Sequence, residues 1–193
     1  MTRRPLYAAL ILAAMTAAAE AHTGTGGIAG FTHGLGHPFS GFDHILAMVA
    51  VGFFAANLGG RALWLVPCSF VAMMAVGGAA GMHDIGLLYV EIGIALSVIV
   101  LGAAVAFQWK APAAVAMALA GFFAIFHGHA HGSELPAAAS GAGYALGFIL
   151  ATASLHAFGI ASGRLSRMGS RRIAQMGGGA MTLAGVGILT GIM

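Results

Sequence analysis

The chain has 193 residues, of which 60% are hydrophobic and only 7% charged, with 31 glycines and a formal net charge of +3. That profile excludes an ordinary soluble globular domain, in which about 25% of residues are charged, and describes a polypeptide whose partner is the lipid bilayer. With Cys68 as its single cysteine the chain has no internal disulfide and no thiolate cluster, so any metal site must be built from imidazole and carboxylate.

The first 21 residues read as a secretory signal peptide. Arg3 and Arg4 precede an apolar stretch from Leu6 to about Ala19, and the small-x-small triplet Ala19-Glu20-Ala21 stands before His22. Cleavage there leaves residues 22–193 as a single membrane domain that starts outside the cytoplasm. An uncleaved first helix would give the same sidedness.

At ~20 apolar residues per bilayer crossing, six segments follow, at about 39–57, 62–81, 86–107, 112–131, 140–161 and 173–192. The expected architecture is therefore all-α: a polytopic bundle of six transmembrane helices in a bacterial cytoplasmic membrane, with both mature termini periplasmic. The connecting loops support that count, because Lys and Arg are retained on the cytoplasmic side. Arg61, Lys110, Arg164, Arg167, Arg171 and Arg172 all fall on one side of such a bundle. His22, His33, His37, Asp43, His44, His83, Asp84, His127, His129, His131 and Glu134 fall on the other, and only Glu91 and His156 remain well inside segments. The net positive charge thus belongs to cytoplasmic loops and gives no case for nucleic acid. Glycines recur at small-xxx-small spacing, as in Gly77/Gly81, Gly143/Gly147 and Gly187/Gly191, which suits close helix packing. That spacing leaves open whether contacts lie within one chain or in a homo-oligomer.

Two motifs carry the chemistry. The first is HPFSGFDH at the entry to the first segment, presenting His37, Asp43 and His44, with His33 four residues earlier. Ser40 and Asp43 also fit an S-x-x-D capping box, which would give Asp43 a purely structural part. The second, FHGHAHGSE, closes the fourth segment, which runs outward and so ends at the same depth. On a helix, His127, His131 and Glu134 share one face while His129 points elsewhere. Single buried histidines are commonly hydrogen-bonded core residues, but three within five positions opposite a His/Asp/His group indicate coordination. Imidazole with carboxylate suits Ni²⁺, Co²⁺, Zn²⁺ and Cu²⁺, and ligand type alone does not choose among them. Deeper in the bundle, His156 in the fifth segment, with Thr152 one turn earlier, reads either as a further metal ligand or as a helix-to-helix hydrogen bond. Glu91 in the third segment reads as a partner to the ligands or as a proton acceptor.

With these motifs the sequence resembles the HupE/UreJ family of nickel/cobalt permeases, whose marks are H-x5-D-H and F-H-G-x-A/V-H-G-x-E. Here they stand as His37 to His44 and as Phe126 to Glu134, without departure from either pattern, and the similarity extends over the whole chain. The resemblance implies uptake of Ni²⁺ or, in some members, Co²⁺, and lays functional weight on His37, Asp43, His44, His127, His131 and Glu134. Chemistry alone adds His33, His129, His156 and Glu91 as candidate ligands. The expectation is a secondary importer with no prosthetic group and no catalytic residue; no Walker-type motif occurs in the sequence. A different class is an intramembrane zinc hydrolase with Asp43 or Glu134 as general base and assistance from Ser40 or Ser154. A metal sensor without conduction is a third.

Overall fold

The computed structural model describes residues 26–134 and 141–192; the signal-peptide segment 1–21 and His22 lie outside the described residues. Seven α-helices and one 3-10 turn, without strands, make up the described residues. They are α1 (Gly26–Gly36), the turn His37–Phe39, α2 (Phe42–Leu58), α3 (Ala62–Met82), α4 (Val90–Ala106), α5 (Ala113–Ser133), α6 (Gly141–Met168) and α7 (Arg171–Leu189). The all-α expectation holds, and a helix occupies each of the six apolar segments. By length and composition, three helices (α3, α5 and α6) can cross a membrane, and up to four if the bent pair of α1 with its turn and α2 is one span; α4 is apolar but shorter.

Helix α1 is an element the apolar segments did not announce. The chain bends by 79° between it, with its following turn, and α2. The turn carries Pro38, buried at the bend, where the missing N–H costs nothing at a helix start. Helix α1 packs against α6, where glycine lets backbones touch: a Cβ on Gly147 would collide with the carbonyl of Phe31. The capping box does not form. The N-cap of α2 is Gly41, without a side-chain cap; Ser40 Oγ instead donates to the His37 carbonyl at 2.6 Å, and Asp43 turns to its neighbour His44.

Helix α2 is the central element, buried at every residue from Ala47 to Asn57. It runs parallel to α6: Gly159 meets the backbone of Val49 and Gly163 that of Phe53, so positions rise together. Helices α3 and α5 are likewise parallel, with Gly77 against Ile125 and Gly81 against His129, whereas α4 and α7 are antiparallel, with Gly178 against Ala106 and Gly185 against Ile99. These are the directions of a chain that reverses at every connection from α2 to α7. Without a hydrophobic driving force between helices in lipid, such close backbone contact supplies the packing energy. Large apolar side chains point outward, including Trp64, Leu88, Phe107 and Met176.

The far end of α2 gathers cations. Lys110 Nζ donates to the Asn57 carbonyl and Arg167 to the Ala56 carbonyl at 3.1 Å, satisfying last-turn acceptors where positive charge is favoured. Asp43 and His44 sit in the first turn of the same helix, so basic loops and histidine motifs occupy opposite ends of the bundle.

Candidate metal centre

The bend between α1 and α2 brings the first motif over the end of the second. His37 comes from the 3-10 turn, Asp43 and His44 from the first turn of α2, and His127 and His131 from successive turns of α5, with Glu134 just past its end. Ring centroids are 4.7 Å apart for His37 and His131, 4.3 Å for His131 and His44, and 4.9 Å for His44 and His127. Four imidazoles thus form a ladder leading inward. At the mouth Glu134 Oε2 lies 3.3 Å from His37 Nε2, with side chains 62% and 18% exposed; at the foot His127 is fully buried.

Hydrogen bonding fixes which ring nitrogens are free. Asp43 Oδ1 accepts from the His44 backbone N–H at 2.8 Å and sits 2.7 Å from His44 Nδ1. A carboxylate only accepts, so Nδ1 carries the hydrogen and Nε2, buried without a partner, keeps its lone pair. His127 is held likewise. Ser97 Oγ spends its one proton on the Ile94 carbonyl at 2.6 Å, so at 2.8 Å it accepts from His127 Nε2–H. That leaves His127 Nδ1 as the bare nitrogen, buried and unpartnered. Both nitrogens of His131 are buried without partners. An anchored N–H on one side of the ring and a free lone pair on the other is the arrangement that orients histidine metal ligands.

One ligand atom each from His37, His131 and Glu134 lie within 4.8 Å of one another. Bonds of about 2.0–2.1 Å to nitrogen put donors roughly 3–3.5 Å apart around an ion, so a small inward adjustment of these side chains brings them to coordinating distance. With Asp43 behind His44 and Glu134 at the rim, two carboxylates oppose a divalent charge among neutral rings.

The other sequence candidates are arranged differently. His33 stands at the mouth, its ring 6.0 Å from that of His37 and 6.1 Å from Tyr144. His129 faces away and donates from Nε2 to the Ile85 carbonyl at 2.8 Å. Glu91, in the first turn of α4, is exposed and outside the ladder. His156 is buried deeper, and its Nε2 has no hydrogen-bond partner.

Four further residues shape the site without any signal in the two motifs. They are Ser97, whose partner is 30 positions away; Tyr144 and Phe148, which wall the ladder 5.8 Å from His37 and 4.3 Å from His131; and Phe70, 5.7 Å from His127. Tyr144 and Phe148 are legible only as an i, i+4 pair on the buried face of α6. An apolar cavity of about 190 Å³ runs between α3, α5 and α6, reaching His131, Tyr144 and Phe148.

The model for the family described as HupE / UreJ protein matches residues 9–188 of the chain. Protein HupE of Rhizobium leguminosarum bv. viciae is 50% identical over 180 residues, which are 92% of this chain and 93% of that protein. No solved structure matches the chain.

Proposed function

The chain belongs to the HupE/UreJ family, and from that premise we propose that it is a secondary permease importing a divalent transition metal, Ni²⁺ before Co²⁺, across the bacterial cytoplasmic membrane. The family is one of multi-pass nickel/cobalt transporters, not of enzymes, which leaves the zinc-hydrolase reading without support. In the proposed topology α2 to α7 cross six times, the histidine motifs open to the periplasm and the basic loops lie in the cytoplasm. The collection of Lys110 and Arg167 at the end of α2 opposite Asp43 supports that polarity.

The observation that carries the reading is the ladder itself: two motifs about ninety positions apart supply four closely spaced imidazoles, three of which, His44, His127 and His131, hold buried ring nitrogens without a partner. Unpaired buried polar groups are costly, and a cation exchanging water for these nitrogens offsets that cost. The ligands are His37, His44, His127, His131 and Glu134, with Asp43 acting through His44 and His33 attracting ions at the mouth. His129 and Glu91 stand outside the ligand set. The graded exposure from Glu134 down to His127 lets an arriving hydrated ion shed water stepwise. Inward drive comes from the membrane potential, ~2.3 kcal/mol per charge per 100 mV, and so about twice that for a divalent ion.

The test is Ni²⁺ accumulation in cells stripped of other nickel systems. Parent protein should raise it, and His127→Ala or Asp43→Ala protein, inserted at normal levels, should return it to background. Uptake equal to the parent by either variant would end the proposal.

A further inference from the structure

Below the ladder, α6 continues a buried stripe at one-turn spacing: Tyr144, Phe148, Thr152, His156. Its first two members wall the outer ligands, at 5.8 Å from the His37 ring and 4.3 Å from the His131 ring. Its last two are polar. Thr152 is fully buried and His156 is 3% exposed, and neither Thr152 Oγ1 nor His156 Nε2 has a hydrogen-bond partner. Two unpaired polar groups, one turn apart in the middle of a helix that faces the bundle interior, are an arrangement that packing alone disfavours. The helix-to-helix hydrogen bond that could have explained His156 is not made at Nε2.

Position adds to this. His156 lies eight residues inward of Phe148, about 12 Å along the helix axis, at the level where Gly52 lets the α2 backbone touch its carbonyl. The fully buried Phe70 ring neighbours both His156 and the foot of the ladder, 5.2 Å edge-on from the His156 ring and 5.7 Å from the His127 ring. One aromatic side chain thus adjoins both the outer ligands and His156.

We propose that His156 Nε2 and Thr152 Oγ1 form a second, inner station for the same divalent cation, next to the Phe70 ring that also adjoins the outer ligand His127. This inference rests on the permease reading and assigns the inner half of its route. Two donors bind weakly compared with the outer set, and that ordering is what passage requires: an ion held as tightly inside as outside would not leave. The ion reaches His156 still carrying waters, with one nitrogen and one hydroxyl replacing part of its shell.

The experiment uses full-length protein in proteoliposomes and reads Co²⁺ twice, as equilibrium binding and as uptake under an imposed inside-negative potential. Thr152→Val keeps the volume and His156→Phe keeps a planar ring, and both remove the donor; His156→Cys keeps a donor. The expected result is outer-site binding within twofold of the parent in all three, uptake at least tenfold lower for Thr152→Val and His156→Phe, and uptake within threefold for His156→Cys. If His156→Phe disturbs binding as well, Thr152→Val decides by the same criterion. Uptake within twofold of the parent for Thr152→Val or His156→Phe overturns the inner station and leaves the permease standing. Failure of the parent to take up Co²⁺ and Ni²⁺ overturns both.

Discussion

Ser97 Oγ and His127 Nε2 meet at 2.8 Å in the fully buried foot of the ladder, joining α4 to α5 across 30 positions of sequence. Because the hydroxyl proton is committed to Ile94, the bond fixes the tautomer of His127 and aims its bare Nδ1 into the site. Ser97→Ala removes that constraint without touching a ligand. Ni²⁺ affinity of the purified protein should fall about 10–100-fold, the usual consequence of losing an orienting partner, while Ser97→Thr, which keeps the hydroxyl, should stay within a fewfold of the parent. Equal binding by the alanine variant would mean the ring is oriented by packing alone.

Asp43 touches His44 twice, at the backbone N–H and at Nδ1, and so acts through the ring in this arrangement. A double-mutant cycle distinguishes that from direct coordination. Asp43→Asn and His44→Ala should each lower uptake at least tenfold, and the double variant should be no worse than His44→Ala alone, since a positioning group has nothing left to position. Additive losses would make the carboxylate an independent ligand.

The parallel pair α3 and α5 sets where the second motif stands. A Cβ on Gly128, between His127 and His129, would strike the Met74 carbonyl, so Gly128→Ala must part the helices. Thermal unfolding in micelles should report a loss of about 1–3 kcal/mol, the usual range for overpacking, together with weaker metal binding. Gly179→Ala on α7, with open space around the added methyl, should be neutral or slightly stabilising because alanine favours the helix.

Sidedness is open to chemical labelling. Cys68 is exposed, so it is first replaced by serine. In spheroplasts, His83→Cys at the outward end of α3 should react with a membrane-impermeant maleimide, whereas Gly169→Cys, in the basic connection between α6 and α7, should react only after permeabilisation. The reverse pattern would invert the topology and remove the basis for import from the periplasm.

Helix content and the two chemical motifs were open to linear reading because each rests on local rules. Runs of apolar residues give helices in lipid, and i, i+4 spacing puts His127 and His131 on one face whatever the rest of the chain does. The same rule turned His129 off that face, and its ring does bond elsewhere, to Ile85, although its chemistry had kept it among the candidate ligands. Local rules failed where two segments compete for a side chain. Ser40 and Asp43 match a capping box, yet Asp43 pairs with His44, because a buried imidazole N–H has greater need of an acceptor than a helix end near water. The short helix over 26–36 was missed because its apolar face is matched only by α6, with Gly34 and Gly147 permitting the approach.

What the residues determined by themselves was a helical membrane chain, the family it belongs to, and a histidine-carboxylate chemistry suited to a divalent cation. Composition, helical period and motif spacing are properties of neighbouring positions. The tertiary structure alone decided that His44 stands 4.3 Å from His131, that Ser97 orients His127, and that Phe70 adjoins both His127 and His156. Those relations join positions some 30 to 90 residues apart through helix directions and glycine contacts, which no window along the chain contains.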